Sequence, residues 1–207
     1  FDVSASMLTP VGMVGNDAED LMNSVFSEEF LAEPRLQLAY LMHGKSRLKV
    51  AKTAVSDVVD NLPVNVDAGL VVIGTCDGAQ SHNVFSPDRR EELKSMIDAL
   101  EPRSGTPLAQ GVAMAANMID GRGDGSLIVV VSDGQDSCDG DPCAVAREIA
   151  MRKPSVRVNV VDIGNVGAGN CLAQATGGRV VVADSTSDLR AMIRQAANPL
   201  DVPTHCR

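Results

Sequence analysis

Ser126–Gly134 reads SLIVVVSDG, five consecutive aliphatic residues ending on a hydroxyl, a carboxylate and a glycine. A run with no polar alternation marks a strand buried on both faces, and Ser-Asp-Gly is the chemistry of a loop leaving it. Toward the C-terminus the pattern alternates. A helix is expected over about Pro142–Arg152, then a strand in VRVNVVDIG (156–164), a short helix near Cys171–Thr176, a strand in RVVVA (179–183) and a helix over Ser187–Ala197. Toward the N-terminus, Pro107 suits the first turn of a helix running to about Asp120. Ser86-Pro87-Asp88 starts another, with Leu93, Met96, Ile97 and Leu100 recurring at three and four residues. Ala68–Ile73 (AGLVVI) is a further apolar strand, followed by a short HNVFS segment, and Lys45–Leu62 carries a helical apolar stripe from Leu48 to Val59. Buried strands alternating with helices predict a three-layer α/β fold around a doubly wound, mostly parallel sheet.

The first 60 residues are less regular. Residues 8–44, with an acidic helical stretch around Asp17–Phe26, are expected to form a helical insertion after the first strand. A single domain over residues 1–200, with a tail at 201–207, suits a chain of 207 residues, since surface scaling leaves about 70% of the extended chain's area buried. The composition, 44% hydrophobic and 22% charged, is that of a folded globule. A net charge of −9 argues against nucleic acid as a partner, because phosphate binding needs clustered Lys and Arg. The few aromatics (Phe1, Phe26, Phe30, Phe85, Tyr40) make no stacking platform. No apolar run reaches the ~18–20 residues of a membrane span, and no leader pattern opens the sequence.

Five cysteines stand at Cys76, Cys138, Cys143, Cys171 and Cys206. None forms CxxC, and His43, His82 and His205 lie far from them, so no zinc spacing appears. Their number points to an oxidising compartment: periplasm, cell surface or medium. Cys138 and Cys143, in CDGDPC, could close a small ring, leaving Cys206 as the candidate unpaired thiol.

In doubly wound sheets, ligands bind beyond the carboxyl ends of the strands. Here that directs attention to the loops after Val3, Ile73, Val131 and Ile163. Asp2-Val3-Ser4-Ala5-Ser6 offers a carboxylate and two hydroxyls on alternate positions, Ser104-Gly105-Thr106-Pro107 a hydroxyl at a helix start, and Ser132-Asp133-Gly134 a carboxylate after a buried strand. A hard divalent cation accepts about six oxygens and tolerates neutral hydroxyls when carboxylates stand behind them. Such an ion is under-neutralised and can take a carboxylate from another protein.

DVSAS, SGTPLA and VSDG, in this order and on this kind of fold, resemble the metal-ion-dependent adhesion site of von Willebrand factor type A domains. The resemblance extends from Phe1 to about Ala197, apart from the insertion. It implies metal-bound hydroxyls at Ser4, Ser6 and Thr106. It also implies that Asp2 and Asp133 act largely through water or hydrogen bonds, around Mg²⁺ (or Ca²⁺ or Mn²⁺). VSDGQDSCDGDPCAVAREI (131–149) and the segment from Cys171 to Gly178 look like a bacterial extracytoplasmic branch of that family, which implies disulfides among Cys76, Cys138, Cys143 and Cys171 with the pairing open. Two departures stand out. The apolar run that precedes DxSxS in the family is almost absent here, so what fills the central strand position is open, and the insertion leaves the chain beside the metal.

Weaker motifs favour ordinary structure. Arg122-Gly123-Asp124 is a Gly-rich turn before a strand. Ser46-Arg47-Leu48-Lys49, despite its Ser-x-x-Lys form, falls where a helix needs a cap. Gly164–Gly169 is not GxGxxG and suits a mobile loop. The methionines are core filler. The expected function is therefore a non-enzymatic, cation-dependent adhesion or assembly module whose protein ligand presents an Asp or Glu. The alternatives are a structural domain of a larger envelope or pilus-like protein with an unoccupied site and, less favoured, a metal-assisted hydrolase.

Overall fold

The computed structural model describes residues 1–13, 46–120, 126–163, 165–167, 169–183 and 185–198. Strands β1 (Ala68–Val72) and β2 (Gln80–Phe85) form an antiparallel pair, and β3 (Leu127–Ser132), β4 (Arg157–Ile163) and β5 (Val180–Ala183) pair in parallel in that order. Residues 1–3 weld the two groups. Asp2 N donates to Val131 O at 3.0 Å, Val3 N to Ile73 O at 2.8 Å and Ile73 N to Phe1 O at 3.0 Å, with a parallel bridge between Asp2 and Ile73. The order is thus β2-β1-(1–3)-β3-β4-β5. Three residues are enough to occupy the central position that the short N-terminal pattern left open, because both neighbours pair with them.

Among the described residues, six α-helices follow in chain order: α1 (Arg47–Asn61), α2 (Arg90–Asp98), α3 (Leu108–Asn117), α4 (Pro142–Arg152), α5 (Asn170–Thr176) and α6 (Thr186–Ala196). Their starts are chemically specified. Ser46 caps α1, accepting from Lys49 N, which makes Ser-x-x-Lys a cap here; Asp141 caps α4 and Ser185 caps α6. Alternation along the strands splits the core in two. Val131, Val161 and Ile163 face α1, α2 and α6 through Leu48, Ala51, Leu93, Ile97, Leu189 and Ile193. Ile128, Val130, Val158 and Val160 face α3, α4 and α5 through Leu108, Val112, Ala146, Ile149 and Leu172. The result is the three-layer, mostly parallel architecture expected from the strand–helix alternation, with β2 as an antiparallel edge.

The expected insertion at 8–44 falls mainly outside the described residues, as do the 201–207 tail with Cys206 and the Arg122–Asp124 turn. What is described are its two ends. After a 3-10 turn at Ala5–Leu8, Pro10 bridges Ser46 in antiparallel fashion and Arg47 N donates to Thr9 O at 2.9 Å. The chain therefore leaves and re-enters the fold at one place.

The disulfides are Cys76–Cys138 and Cys143–Cys171. All four cysteines implied by the family resemblance are paired, but the small CDGDPC ring does not form. The Asp136 carboxylate folds the intervening turn by accepting from Cys138 N and Gly140 N, each at 2.9 Å. Cys143, in the first turn of α4, is joined instead to α5, and Cys138 to the loop after β1. A Cys143→Ser/Cys171→Ser variant is expected to lose about 2–4 kcal/mol of unfolding free energy, read by urea denaturation under oxidising conditions.

Candidate metal centre

Each residue singled out at the strand ends is buried at the carboxyl edge of the sheet, except Ser6, which is half-buried. Asp2 has both oxygens engaged: Oδ1 accepts from Ser4 N at 2.7 Å, and Oδ2 from the Ser132 hydroxyl at 2.5 Å. The Ser4 and Ser6 hydroxyls are 3.0 Å apart. The Ser6 hydroxyl donates to Asp133 Oδ1 at 2.7 Å, and Arg47 Nη1 donates to Asp133 Oδ2 at 2.6 Å. The loop after Val3 and the loop after Val131, about 130 residues apart in sequence, are thus one hydrogen-bonded unit.

Thr106 stands beside this unit and makes no direct hydrogen bond to the other four residues among the described contacts. A Cβ placed on Gly134 would lie 4.0 Å from Thr106 Oγ1, so the absence of a side chain there keeps the space in front of the hydroxyl open. Ser137 fixes the Thr106 backbone from both sides, its Oγ accepting from Thr106 N at 2.8 Å and its N donating to Thr106 O at 3.1 Å. Asp136 Oδ2 accepts from Ala109 N at 2.8 Å, supplying from another loop the partner that Pro107 cannot offer as a cap. Gly105 has φ +116°, and a Cβ there would meet the Cys76 backbone and sulfur at 3.0 Å, so only glycine lets the Cys76–Cys138 bridge close over this loop.

A family profile of the von Willebrand factor type A domain matches residues 1–135. The chain belongs to the von Willebrand factor type A family. It is 22% identical to the uncharacterized protein YwmC of Bacillus subtilis over 177 residues, spanning 76% of this chain and 77% of that one. An aerotolerance-related membrane protein from Bacteroides fragilis shares the fold at TM-score 0.66 and 20% identity, with 96% of each chain covered. Proximal thread matrix protein 1 from the mussel byssus, solved with a zinc-occupied adhesion motif, shares it at TM-score 0.55 and 17% identity, covering 73% of this chain and 40% of that one.

The donor set of this von Willebrand factor type A domain fits a hard divalent cation. Two oxygens each about 2.1 Å from an ion at right angles stand about 3.0 Å apart, which is the Ser4–Ser6 hydroxyl separation. Charge agrees. Asp2, Asp133 and Asp162 are buried carboxylates at adjacent strand ends, and Arg47 is the buried cation among the described residues there. When all three are ionised, three negative charges against one leave a surplus of two. Burial, then the charge of Asp133, pushes the Asp2 carboxyl above its ordinary range; burial raises Asp162 as well, against the Val166 and Gly167 N–H groups that it accepts. Those two bonds place the Val166 and Gly167 N–H groups on a carboxylate of the same chain.

Four residues bonded to or buried beside these groups were not among the sequence candidates: Ser132, Asp162, Ser137 and Arg47. Ser132 sits inside the motif next to Asp133, and Asp162 occupies the equivalent end of the next strand, opposite Ser132 in register. Arg47 carries a subtler signal, since a cation in the first turn of a helix opposes the helix dipole and calls for a partner elsewhere.

With both native pKa values raised, stability from Asp2 and Asp162 is full below the ordinary carboxylate range and lost as pH rises through the elevated values. In chelator, unfolding free energy is therefore expected to fall as pH rises above the ordinary carboxylate range, and Asp2→Asn to flatten that slope in urea titrations at each pH.

Proposed function

We propose that this domain is a cation-dependent protein-binding module acting outside the cytoplasm, in which a partner's Asp or Glu completes the shell of a Mg²⁺, Ca²⁺ or Mn²⁺ ion at the sheet mouth. The observation that carries this is the uncompensated pair of negative charges behind a cluster of neutral hydroxyls. Ser4, Ser6 and Thr106 would hold the ion through their hydroxyls. Asp2 and Asp133 orient that set from behind: Asp2 fixes the Ser4 backbone, and Asp133 fixes the Ser6 hydroxyl. Once bound, the ion supplies an electrophilic position for an incoming carboxylate. Neutral donors in front leave most of the ion's charge available to a partner, whereas a ring of direct carboxylates would quench it.

The zinc-occupied motif of the byssus protein supports a cation at this place in the fold. Two disulfides support an oxidising compartment, and no helix among the described residues is long and apolar enough to cross a membrane. One observation favours the structural alternative, an assembly domain without an ion: the Arg47–Asp133 pair satisfies Asp133 without metal.

Calorimetric titration with Mg²⁺ and Mn²⁺ separates the two. Uptake of one ion is expected, weakened at least about tenfold in Thr106→Ala while the circular dichroism stays native. Adding acetate to the Mn²⁺-loaded domain is expected to lower the water relaxivity of the bound ion as a carboxylate replaces water. No uptake at millimolar cation would leave the assembly role.

A further inference from the structure

Arg47 is buried, its side chain 6% exposed, against an Asp133 side chain of 0%. It begins α1 immediately after the insertion returns, and each of its groups has a distinct environment. Nη1 donates to Asp133 Oδ2 at 2.6 Å, Nη2 donates to Met13 O, and Nε is buried with no hydrogen-bond partner among the described residues. Its backbone N is pinned to Thr9 O at 2.9 Å. The guanidinium is therefore held by Met13 O on the outgoing end of the insertion and aimed at the one carboxylate oxygen of Asp133 that Ser6 does not use.

A buried cation at the positive end of a helix, with one donor unsatisfied, is an expensive arrangement. Fold stability alone does not call for it, since an apolar pair of similar volume is usually as stable as a buried ion pair. Its effect on the site is direct. It offsets one of three carboxylate charges and occupies Asp133 Oδ2, so that Asp133 reaches forward only through Ser6.

We propose that Arg47 is a positioning residue and built-in counter-cation of the metal centre: it holds Asp133 back from the ion and weakens cation affinity, so that occupancy follows the free cation concentration. This rests on the cation-dependent reading given under the proposed function. Arg47 and the incoming ion draw on the same negative charge, and like charges so close in a poorly screened setting oppose each other.

The test is Mn²⁺ titration by calorimetry of the wild-type chain, Arg47→Gln, Asp133→Asn and the double variant. Arg47→Gln keeps an amide donor but removes the charge, and is expected to bind Mn²⁺ at least about tenfold tighter. Asp133→Asn is expected to bind at least about tenfold weaker, and the double variant, which restores the net charge with a neutral pair, to return to within about tenfold of wild type. A merely structural arginine gives the opposite sign: Arg47→Gln unchanged or weaker, and a double variant no better than Asp133→Asn. Either result overturns the proposal. If Arg47→Gln does not fold, the comparison of Asp133→Asn with the double variant decides alone. A wild-type chain that takes up no Mn²⁺ overturns the cation-dependent reading itself, whereas a wild type that binds with no gain on charge removal overturns only the role of Arg47.

Discussion

Two aspartates at neighbouring strand ends, Asp2 and Asp133, are buried where their charges repel. Much of the surrounding architecture is an answer to that repulsion. Ser132 and the Ser4 backbone hold one carboxylate; Ser6 and Arg47 hold the other. These bonds tie residues 1–6 to the end of β3, and the same three-residue segment joins the antiparallel pair to the parallel strands. The sheet's continuity and the composition of its mouth are consequently one problem. A substitution that frees either carboxylate loosens the junction as well as the site.

Element type and order were legible from period and punctuation. The apolar run LIVVV carries no polar alternation and so implied a strand between two layers, and Ser46 marks a helix start by chemistry that acts within four residues. The meeting of Asp2, Ser4, Ser6 and Asp133 at one edge was legible for a related reason, because Asp, Ser and Thr gathered at strand ends are unusual in combination. What could not be read is what depends on distant parts of the chain meeting. The Cys138–Cys143 ring looked plausible from proximity in sequence, yet Asp136 shapes that turn and the sulfurs reach other elements. Arg47 reads locally as a residue after a cap, and its meaning comes from Asp133, 86 residues away. The central strand was hard to foresee because its three residues carry no period of their own and draw their conformation from the neighbours on either side.

Membership of the von Willebrand factor type A family accounts for the layers and for the position of the mouth. It does not account for how the mouth is braced. Ser137 and Asp136 clamp the start of α3 to the loop after β3, and the insertion's two ends converge on Arg47. Residues 9–13 and 46–47, which flank the undescribed part of the insertion, therefore meet beside Asp133.

The Cys76–Cys138 bridge lies on that same rim, joining the loop after β1 to the loop after β3 and packing over Gly105 next to Thr106. Loops tied together before any encounter have already surrendered the conformational freedom that docking would otherwise remove. A ligand of the proposed kind arriving at this edge would meet a frame already tied together, so less of its contact energy would be consumed in ordering the receptor.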